Sequence, residues 1–501
     1  MQEHPTNLEF ARNDDSIGRW GIAGDQRPSV IEQEMVRYER KRWEVKETDM
    51  RHRLYGIVPL FALFLASFRA APQLQATPDV TVIEGATVID GVSDTPVTDA
   101  VLVIEDNTIR NFGKRGSVPV PANAMRIKLS GKTIIPGIVS LHGHVGRTEG
   151  LESNEEFFNR ARIERDAKQY LYYGVTHMLS LGHDREAMAG FLADQRAGKT
   201  IGARLYTAGL GFGAKGGWPA NPYVHRPTTP EQAREMARAE LAKHPSVIKI
   251  WIDDRLGTLP DFPPEIYGPI LEEASKQNVK VAAHIYYLRD AKEVMRRGAV
   301  LLAHSVEDRE VDDEFLKLAK QNGLTQVTTL ESIRKSIDYA EGTTSFLDDP
   351  GLPILFPRSV LATLSSPEYR KSQAQSPELA IARHQYEVAT KNVKKIAAAG
   401  ISIAIGTDSG LPGNFPGLWE HREMELLVRA GLSPMEVIRA ATINGARFLG
   451  VDSRYGSISS GKVADFVVLN ADPLSDITNT RKIAAVWMNG KQVNRAALAQ
   501  N

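Results

Sequence analysis

The sequence of 501 residues contains no cysteine. Disulfide bonds, thiolate nucleophiles and cysteine-ligated metals are therefore excluded, and any metal site has to use histidine, carboxylate or a rarer ligand. Net charge is absent as well, because 61 basic residues balance 61 acidic ones, so no overall field favours nucleic acid or an anionic membrane. Apolar residues (42%) and charged residues (24%) occur at ordinary frequencies, which indicates a soluble globular protein long enough for two or more domains.

The N-terminal part of the chain has one short apolar run. Residues 1–49 are polar and charge-rich, and we expect them to be an upstream extension of the reading frame outside the fold. Residues 50–76 begin with Met50 and a basic stretch, continue with about 15 mostly apolar residues and end at Leu74-Gln-Ala76, which is the layout of a signal peptide rather than of a membrane span of ~20 residues. We therefore expect a periplasmic or secreted protein without a stable membrane anchor after processing. An internal hydrophobic anchor behind a cytoplasmic tail is the alternative.

Both flanks of the remaining chain are rich in short strands. Val, Ile and Thr recur between turn residues in 77–135, and residues 455–493 show the same pattern, which is typical of β-structure. Isolated hairpins are marginally stable. We therefore expect the two flanks to fold together as one small β-sandwich domain.

Residues 136–454 alternate between strand and helix patterns, which indicates an α/β fold with a parallel sheet. Eight such units over about 300 residues suit a (β/α)8 TIM barrel, and an open doubly wound sheet is the alternative. The predicted strands are Ile138–His144, Val175–Leu181, Arg204–Gly209, Val247–Ile252, Val279–Ile285, Val300–His304, Leu324–Thr329 and Ile401–Asp408.

Polar residues recur where these predicted strands end. His142 and His144 alternate along the first strand and would point to the same face, and imidazole is the commonest protein ligand of zinc-like metals. The residues that end the fifth, sixth and eighth strands are His284, His304 and Asp408. Lys249 lies inside the apolar fourth strand, where an unpaired lysine is costly. Because the C-terminal strand ends of a barrel meet at one mouth, the sequence predicts a metal site there.

Two motifs carry a family resemblance that covers roughly residues 80–492. The segments Pro136-Gly-Ile-Val-Ser-Leu-His-Gly-His144 and Gly456-Ser-Ile-Ser-Ser-Gly-Lys-Val-Ala-Asp-Phe-Val-Val-Leu469 resemble those of the amidohydrolase superfamily, in its imidazolonepropionase-like and prolidase-like branch. The resemblance implies two divalent metal ions, most plausibly zinc. It assigns one ion to His142, His144 and Asp408 and the other to His284 and His304, with a carboxylated Lys249 bridging them.

The resemblance also implies a reaction. Two metals lower the pKa of a bridging water and polarise a carbonyl oxygen. In the implied reaction Asp408 takes a proton from this water as general base and passes it to the leaving amine as general acid. We therefore expect a hydrolase of amide or peptide-type C–N bonds, dipeptidase-like in character. A lactone or phosphoester hydrolase on the same binuclear site and a non-catalytic metal-holding ligand-binding barrel are the alternatives.

Two departures from the family pattern bear on this expectation. Ser140 replaces the usual aspartate two residues before the first histidine, which weakens the support of the ligands. Trp218 stands where prolidase-like members carry a substrate-contacting histidine, so this chain lacks one contact of the dipeptidase pattern. Tyr286 does match a family tyrosine suited to contact the scissile carbonyl.

We expect the substrate to be a small molecule and not a nucleic acid. A monomer and a homo-oligomer are both compatible with the sequence. Loops after the strands would bring Trp218 and Tyr286 to the mouth, and Arg147 and Arg255 could bind a substrate carboxylate. Solvated loop charges are the alternative for both arginines.

Several other signals receive no functional interpretation. Gly211-Phe-Gly-Ala-Lys-Gly216 fits a dinucleotide-binding pattern, but the Pro-rich continuation is not able to open the required helix. No G-x-S-x-G motif occurs. The interval Leu330–Pro377 is rich in Ser, Pro, Asp and Gly, so we expect a lid or binding loop, or a plain surface insertion. The histidines without partner spacing are expected to be structural: His177, His183, His225, His244, His384 and His421.

Overall fold

A computed structural model describes residues 80–499 of the chain. The predicted N-terminal extension and signal peptide lie outside the described residues. Within 80–499, no helix is long and apolar enough to cross a membrane.

The strands and helices follow one another in an order that separates the β-rich flanks from an alternating middle. The strands are β1 (Val80–Val88), β2 (Val97–Glu105), β3 (Thr108–Lys114), β4 (Met125–Lys128), β5 (Thr133–Pro136), β6 (Ile138–Gly143), β7 (Thr148–Glu149), β8 (Glu152–Ser153), β9 (Val175–Ser180), β10 (Arg204–Thr207), β11 (Val247–Trp251), β12 (Lys280–His284), β13 (Leu301–Leu302), β14 (Thr325–Val327), β15 (Ser402–Ala404), β16 (Phe466–Leu469), β17 (Ile483–Met488) and β18 (Lys491–Gln492). The α-helices are α1 (Arg160–Tyr172), α2 (Glu186–Arg196), α3 (Pro230–Leu241), α4 (Pro264–Lys276), α5 (Leu288–Arg296), α6 (Asp313–Gln321), α7 (Leu330–Glu341), α8 (Leu352–Leu355), α9 (Arg358–Leu364), α10 (Pro367–Ala374), α11 (Leu379–Ala398), α12 (Leu418–Arg429), α13 (Pro434–Ala440), α14 (Ile443–Leu449) and α15 (Arg495–Leu498). Short 3₁₀ helices cover Glu155–Phe157, Ser345–Asp348 and Ile477–Arg481.

Strands from both flanks form one mixed sheet, in the order β18-β17-β16-β5-β1-β2-β3, with β4 also paired to β1. The flanks meet where β5 and β16 pair antiparallel, with Pro136 opposite Phe466. Phe466 and Trp487 stack with ring centroids 5.3 Å apart in an apolar cluster that also contains Ile83 and Leu102. The expected pairing of the two ends is therefore observed. The arrangement of these strands as a two-layered β-sandwich, and the domain boundaries at 77–135 and 455–493, stay predictions.

The middle of the chain contains two parallel sheets, in the orders β10-β9-β6 and β11-β12-β13-β14-β15. Their strands are buried almost throughout, as in parallel sheets covered on both faces. Backbone hydrogen bonds also connect the two sheets at both of their edges. Leu141 N donates to Ile405 O at 2.9 Å, and Phe212 N donates to Lys249 O at 2.9 Å. The predicted α/β class with parallel strands is confirmed.

Several strands end earlier than the sequence indicates. β13 stops at Leu302 and β15 at Ala404, so His304 and Asp408 lie on the segments that follow. The backbone of Asp408 is left-handed, with φ of 58°, a conformation that leaves the strand ladder. The apolar pattern continues to these residues because the segments that lead to them are buried, although the backbone there is no longer paired in a strand.

The interval between β14 and α11 differs from the expectation of a loop. It is mostly helical, from α7 to α10. Some of its Ser and Pro residues start helices: the Ser366 side chain accepts a hydrogen bond from Tyr369 N, and Pro367 occupies the first turn. The same residue types favour loops and helix caps, which explains why a loop was predicted. The expected lid or binding role of this interval stays a prediction.

Candidate active site

The residues predicted to bind metal come together at the carboxyl ends of the parallel strands. Ring centroids of His142 and His304 lie 4.8 Å apart, and those of His284 and His304 lie 4.3 Å apart. Ligand atoms of His142, His304 and Asp408 all lie within 4.8 Å of one another. His144 Nε2 is 2.9 Å from Asp408 Oδ1. The structure thus groups residues from strands far apart in sequence.

The contact between His142 and Asp408 indicates a place for a cation. His142 Nδ1 lies 2.9 Å from the carbonyl oxygen of Ala303, so Nδ1 carries the proton and donates it. Burial lowers the pKa of His142 to about 4, which leaves Nε2 unprotonated at neutral pH. Nε2 is nevertheless 3.1 Å from Asp408 Oδ1, and two acceptors this close need a positive charge beside them. A divalent ion satisfies both.

The second pair of histidines is also oriented by outer partners. His284 Nε2 donates to Asp253 Oδ2 at 2.9 Å, which leaves Nδ1 with its lone pair. His304 Nδ1 lies 2.9 Å from Thr329 Oγ1, which leaves Nε2. The Asp253 carboxylate fixes the tautomer of His284, whereas the Thr329 hydroxyl orients the His304 ring; outer contacts of this kind are typical of metal-binding histidines, so the donor set fits metal ligation.

Lys249 is fully buried on β11. Its Nζ has no hydrogen-bond partner within residues 80–499, and burial lowers its pKa to about 7. A buried unpaired ammonium is strongly unfavourable, whereas a neutral amine is nucleophilic. This lysine is therefore chemically suited to the carboxylation that the family resemblance implies.

Glu420 supplies the carboxylate that Ser140 lacks. Its Oε1 accepts hydrogen bonds from Ser140 Oγ at 3.0 Å, Thr407 Oγ1 at 3.0 Å and Ser409 Oγ at 2.9 Å. Ser140 and Glu420 are both fully buried. The loss of the usual aspartate is thus offset by Glu420 of α12. Its carboxylate binds Thr407 and Ser409, the residues before and after Asp408, and also Ser140, which precedes His142 by two residues.

A cavity of 850 Å³ opens above these ligands. Its walls include Trp218, Tyr286 and Arg255, as the sequence predicts. The Arg255 guanidinium lies over the Trp218 ring, 4.6 Å from the centroid. Apolar side chains complete the rim, and among them Leu256 and Ile381 are large, exposed residues.

Arg147 also reaches the cavity wall, but its charge is already paired. Its guanidinium is 2.6 Å from Glu155 Oε1, and both side chains are largely buried. A guanidinium neutralised in this way is a poor direct anchor for a second carboxylate. Sequence spacing did not reveal Glu155 as the partner of Arg147, and the direct contact between Arg147 and the substrate stays a prediction.

Two further residues of the cavity were missed by the sequence interpretation. His183, expected to be structural, lines the cavity, and its ring centroid lies 5.6 Å from that of His144. Its position just after β9 is the same strand-end signal that identified the ligands. Glu307 also lines the cavity, and burial raises its pKa to about 8; it follows His304 by three residues.

Three of the other histidines have structural partners, as expected. His225 Nε2 lies 3.0 Å from Glu240 Oε2, His421 Nε2 lies 2.8 Å from Tyr173 O, and His177 Nδ1 lies 2.9 Å from Thr176 Oγ1. None of these three lines the cavity.

The site and the comparison with known proteins both indicate one class of protein. Parallel strands that present histidines and an aspartate at their carboxyl ends are typical of metal-dependent hydrolases. The sequence model of the amidohydrolase family matches residues 133–493, and the chain belongs to this family. It is accordingly an enzyme, a hydrolase acting on carbon–nitrogen bonds.

Individual relatives agree with this assignment. The chain is 25% identical over 457 residues to ochratoxinase of Aspergillus niger, covering 82% of this chain and 86% of the relative. It is 22% identical over 415 residues to imidazolonepropionase of Deinococcus radiodurans, covering 79% and 92%. Among solved structures, a Xaa-Pro dipeptidase with bound methionine superposes with a TM-score of 0.67 at 21% identity, covering 83% of this chain and 99% of the other.

Proposed function

We propose that the protein is a binuclear metal-dependent amidohydrolase that cleaves the amide bond of a small substrate carrying a free carboxylate. The two parallel sheets would close into an eight-stranded barrel, which the backbone hydrogen bonds at both sheet edges support. The observation that carries the proposal is the close pairing of the unprotonated His142 Nε2 with Asp408 Oδ1 beside a buried, unpartnered Lys249.

The proposed ligands fall into two groups around Lys249. His142, His144 and Asp408 would hold one ion, and His284 with His304 the other. Lys249, as a carbamate, would bridge the two, which replaces an unfavourable buried amine with an anion between cations. The ions, which we propose to be zinc because the donors are N and O atoms, would acidify water and polarise the scissile carbonyl.

Asp408 is placed to move the proton. Beside two cations the carboxylate of Asp408 would stay ionised at neutral pH, because a nearby positive charge favours the charged form. It would then be able to accept a proton from the attacking water. The acid formed in this way then protonates the leaving amine.

Tyr286 would contact the scissile carbonyl from the β12 side of the cavity. Burial raises its pKa, so the phenol stays protonated and can donate a hydrogen bond. Trp218 and the apolar rim would hold the hydrophobic portion of the substrate, and Arg255 would lie near its carboxylate. The relatives named for ochratoxin and for Xaa-Pro dipeptides are consistent with such an amide substrate.

A hydrolysis screen tests this proposal. Purified protein, loaded with zinc and bicarbonate, is assayed on dipeptides, N-acyl amino acids, lactones and phosphoesters, and bound metal is quantified. We expect close to two ions per chain and cleavage confined to amides. A preference for lactones or phosphoesters would assign a different bond to the same site, and metal binding without any turnover would indicate a ligand-binding barrel.

Arg255 gives the matched test of carboxylate recognition. We expect Arg255→Ala to raise KM for a free-acid dipeptide more than for its C-terminal amide, because only the acid carries the charge that the guanidinium would attract. Equal effects on acid and amide would remove Arg255 from substrate recognition. Lys391→Ala, a change on the exposed face of α11 outside the cavity, is the control.

A further inference from the structure

His183 is held in an unusual position beside the proposed metal ligands. Its side chain is only 4% exposed, and its ring lies 5.6 Å from the His144 ring and 4.9 Å from the Trp251 ring, measured between centroids. The backbone is left-handed with φ of 71°, which is uncommon for a residue other than glycine. Such conformations are found preferentially at functional sites.

Asn221 fixes the protonation of the His183 ring. Asn221 Oδ1 accepts a hydrogen bond from Tyr223 N at 2.7 Å, and Nδ2 donates to Glu155 Oε1 at 2.6 Å. These two contacts decide which end of the amide is nitrogen. Nδ2 also lies 2.7 Å from His183 Nδ1, and since an amide N–H only donates, Nδ1 is the acceptor. The proton of the neutral ring is therefore on Nε2.

The same chain of contacts explains the position of Arg147. Its guanidinium holds Glu155, Glu155 holds Asn221, and Asn221 holds His183. Because Nδ1 accepts the Asn221 hydrogen bond, it carries no proton, and the ring is a neutral donor of fixed tautomer. Nε2 is the nitrogen that the network leaves without a hydrogen bond within residues 80–499.

The loop that carries Asn221 also carries Trp218, which supports the Arg255 guanidinium. One short segment therefore positions both an N–H donor and a cation on the wall of the same cavity. This combination suits an anionic oxygen, because one partner supplies charge and the other a directed hydrogen bond.

We propose that His183 is a substrate-binding residue whose Nε2–H donates a hydrogen bond to the carboxylate of the substrate. Arg147, Glu155 and Asn221 act as positioning residues that set its tautomer and orientation. This inference rests on the proposed amidohydrolase function and specifies which part of the substrate is recognised on the β9 side of the cavity.

The test uses two replacements that separate the ring from the donor. His183→Phe keeps an aromatic ring against Trp251 and removes the N–H. His183→Gln removes the ring but offers an amide N–H near the position of Nε2. Both are prepared as full-length, zinc-loaded proteins, with bound metal and melting temperature measured beside the wild type. The substrates are alanylphenylalanine and its C-terminal amide.

We expect His183→Phe to raise KM for the free acid about tenfold or more, the effect of one hydrogen bond to a charged group. kcat and metal content should change little, and KM for the amide should stay near that of the wild type. His183→Gln should recover most of the loss. Asn221→Ala, which frees the ring without removing it, should raise KM in the same direction by a smaller factor.

Unchanged KM in His183→Phe, or an equal rise for acid and amide, would overturn the inference. Loss of metal together with activity would do so as well, since it would assign His183 to the metal centre. A wild type that cleaves neither dipeptide would refute the proposed substrate class separately. In that case calorimetric binding of phenylalanine decides for His183: weaker binding to His183→Phe than to the wild type supports its role, and equal or undetectable binding to both rejects it.

Discussion

Replacing Lys249 by methionine should make the metal-free protein more stable while abolishing its activity. Lys249 is fully buried, its Nζ has no hydrogen-bond partner within residues 80–499, and burial lowers its pKa from 10.5 to about 7. Methionine has a similar length and no charge, so it should fill the same space without a desolvation cost.

The magnitude follows from proton linkage. With a pKa of 10.5 in the unfolded chain and about 7 in the folded one, the lysine destabilises the metal-free fold by about 4 kcal/mol at pH 7 and about 2 kcal/mol at pH 9. Because burial depresses the pKa of Lys249, the destabilisation is greatest at low pH. It is complete below pH 7, where the lysine is protonated in the unfolded chain and the folded state must bury the charge. It disappears above pH 10.5, where the lysine is neutral in both states.

The assay is urea unfolding of chelator-treated protein in carbon dioxide-depleted buffer at pH 7 and pH 9. Lys249→Met should exceed the wild type in unfolding free energy at both values, by a margin that narrows as pH rises. Lys391→Met, an exposed lysine on α11, should show no such pH-dependent difference. Adding zinc and bicarbonate should reverse the order, because ligands that bind only the folded state stabilise it. A metal-free Lys249→Met that is less stable than the wild type, or a margin independent of pH, would refute the reasoning.

The remaining predictions concern the proton carrier, the support of the ligands and the N-terminus. Asp408→Asn should keep more metal than activity, because the amide oxygen can still coordinate but is not able to take up the proton; metal analysis beside kcat measures this, and parallel loss of both would contradict it. Glu420→Gln should lower activity by about 10- to 100-fold. One carboxylate oxygen of Glu420 accepts hydrogen bonds from three hydroxyls and the other accepts one from Gly417 N–H, so the NH2 group of glutamine would place a donor against a donor. Ser140→Ala removes only one of these bonds and should lower activity less; an equal loss of activity would contradict the network. The mature protein from its native host should begin near Thr77, as N-terminal sequencing would show, and a product that retains residues 2–49 would disprove export.

Much of the site was predictable because its signals are local. Two histidines that alternate on a strand, and single polar residues where apolar strands end, are fixed by the period of the β-strand and by the rule that parallel strands end at one face. Those signals identified His142, His144, His284, His304 and Asp408 without any knowledge of distances. The same rule applied to His183, which follows β9, but the absence of a second histidine at metal-binding spacing led to a structural interpretation.

Composition was a weaker guide where one residue type serves two purposes. Serine and proline favour loops, but they also start helices, as Ser366 and Pro367 do at the start of α10. The alternation of strands and helices gave the α/β class, whereas the backbone hydrogen bonds that connect the two sheets at their edges involve residues with no signature in the sequence.

What only the tertiary structure decided is the set of partners. Ser140 seemed a lost support until the fold brought Glu420, 280 residues away, within 3.0 Å of it. Arg147 seemed a free cation until Glu155 was found against its guanidinium. The physical reason is that a side chain's periodicity and burial follow from its neighbours along the chain, whereas its charge state and hydrogen bonds depend on groups that folding brings beside it from elsewhere.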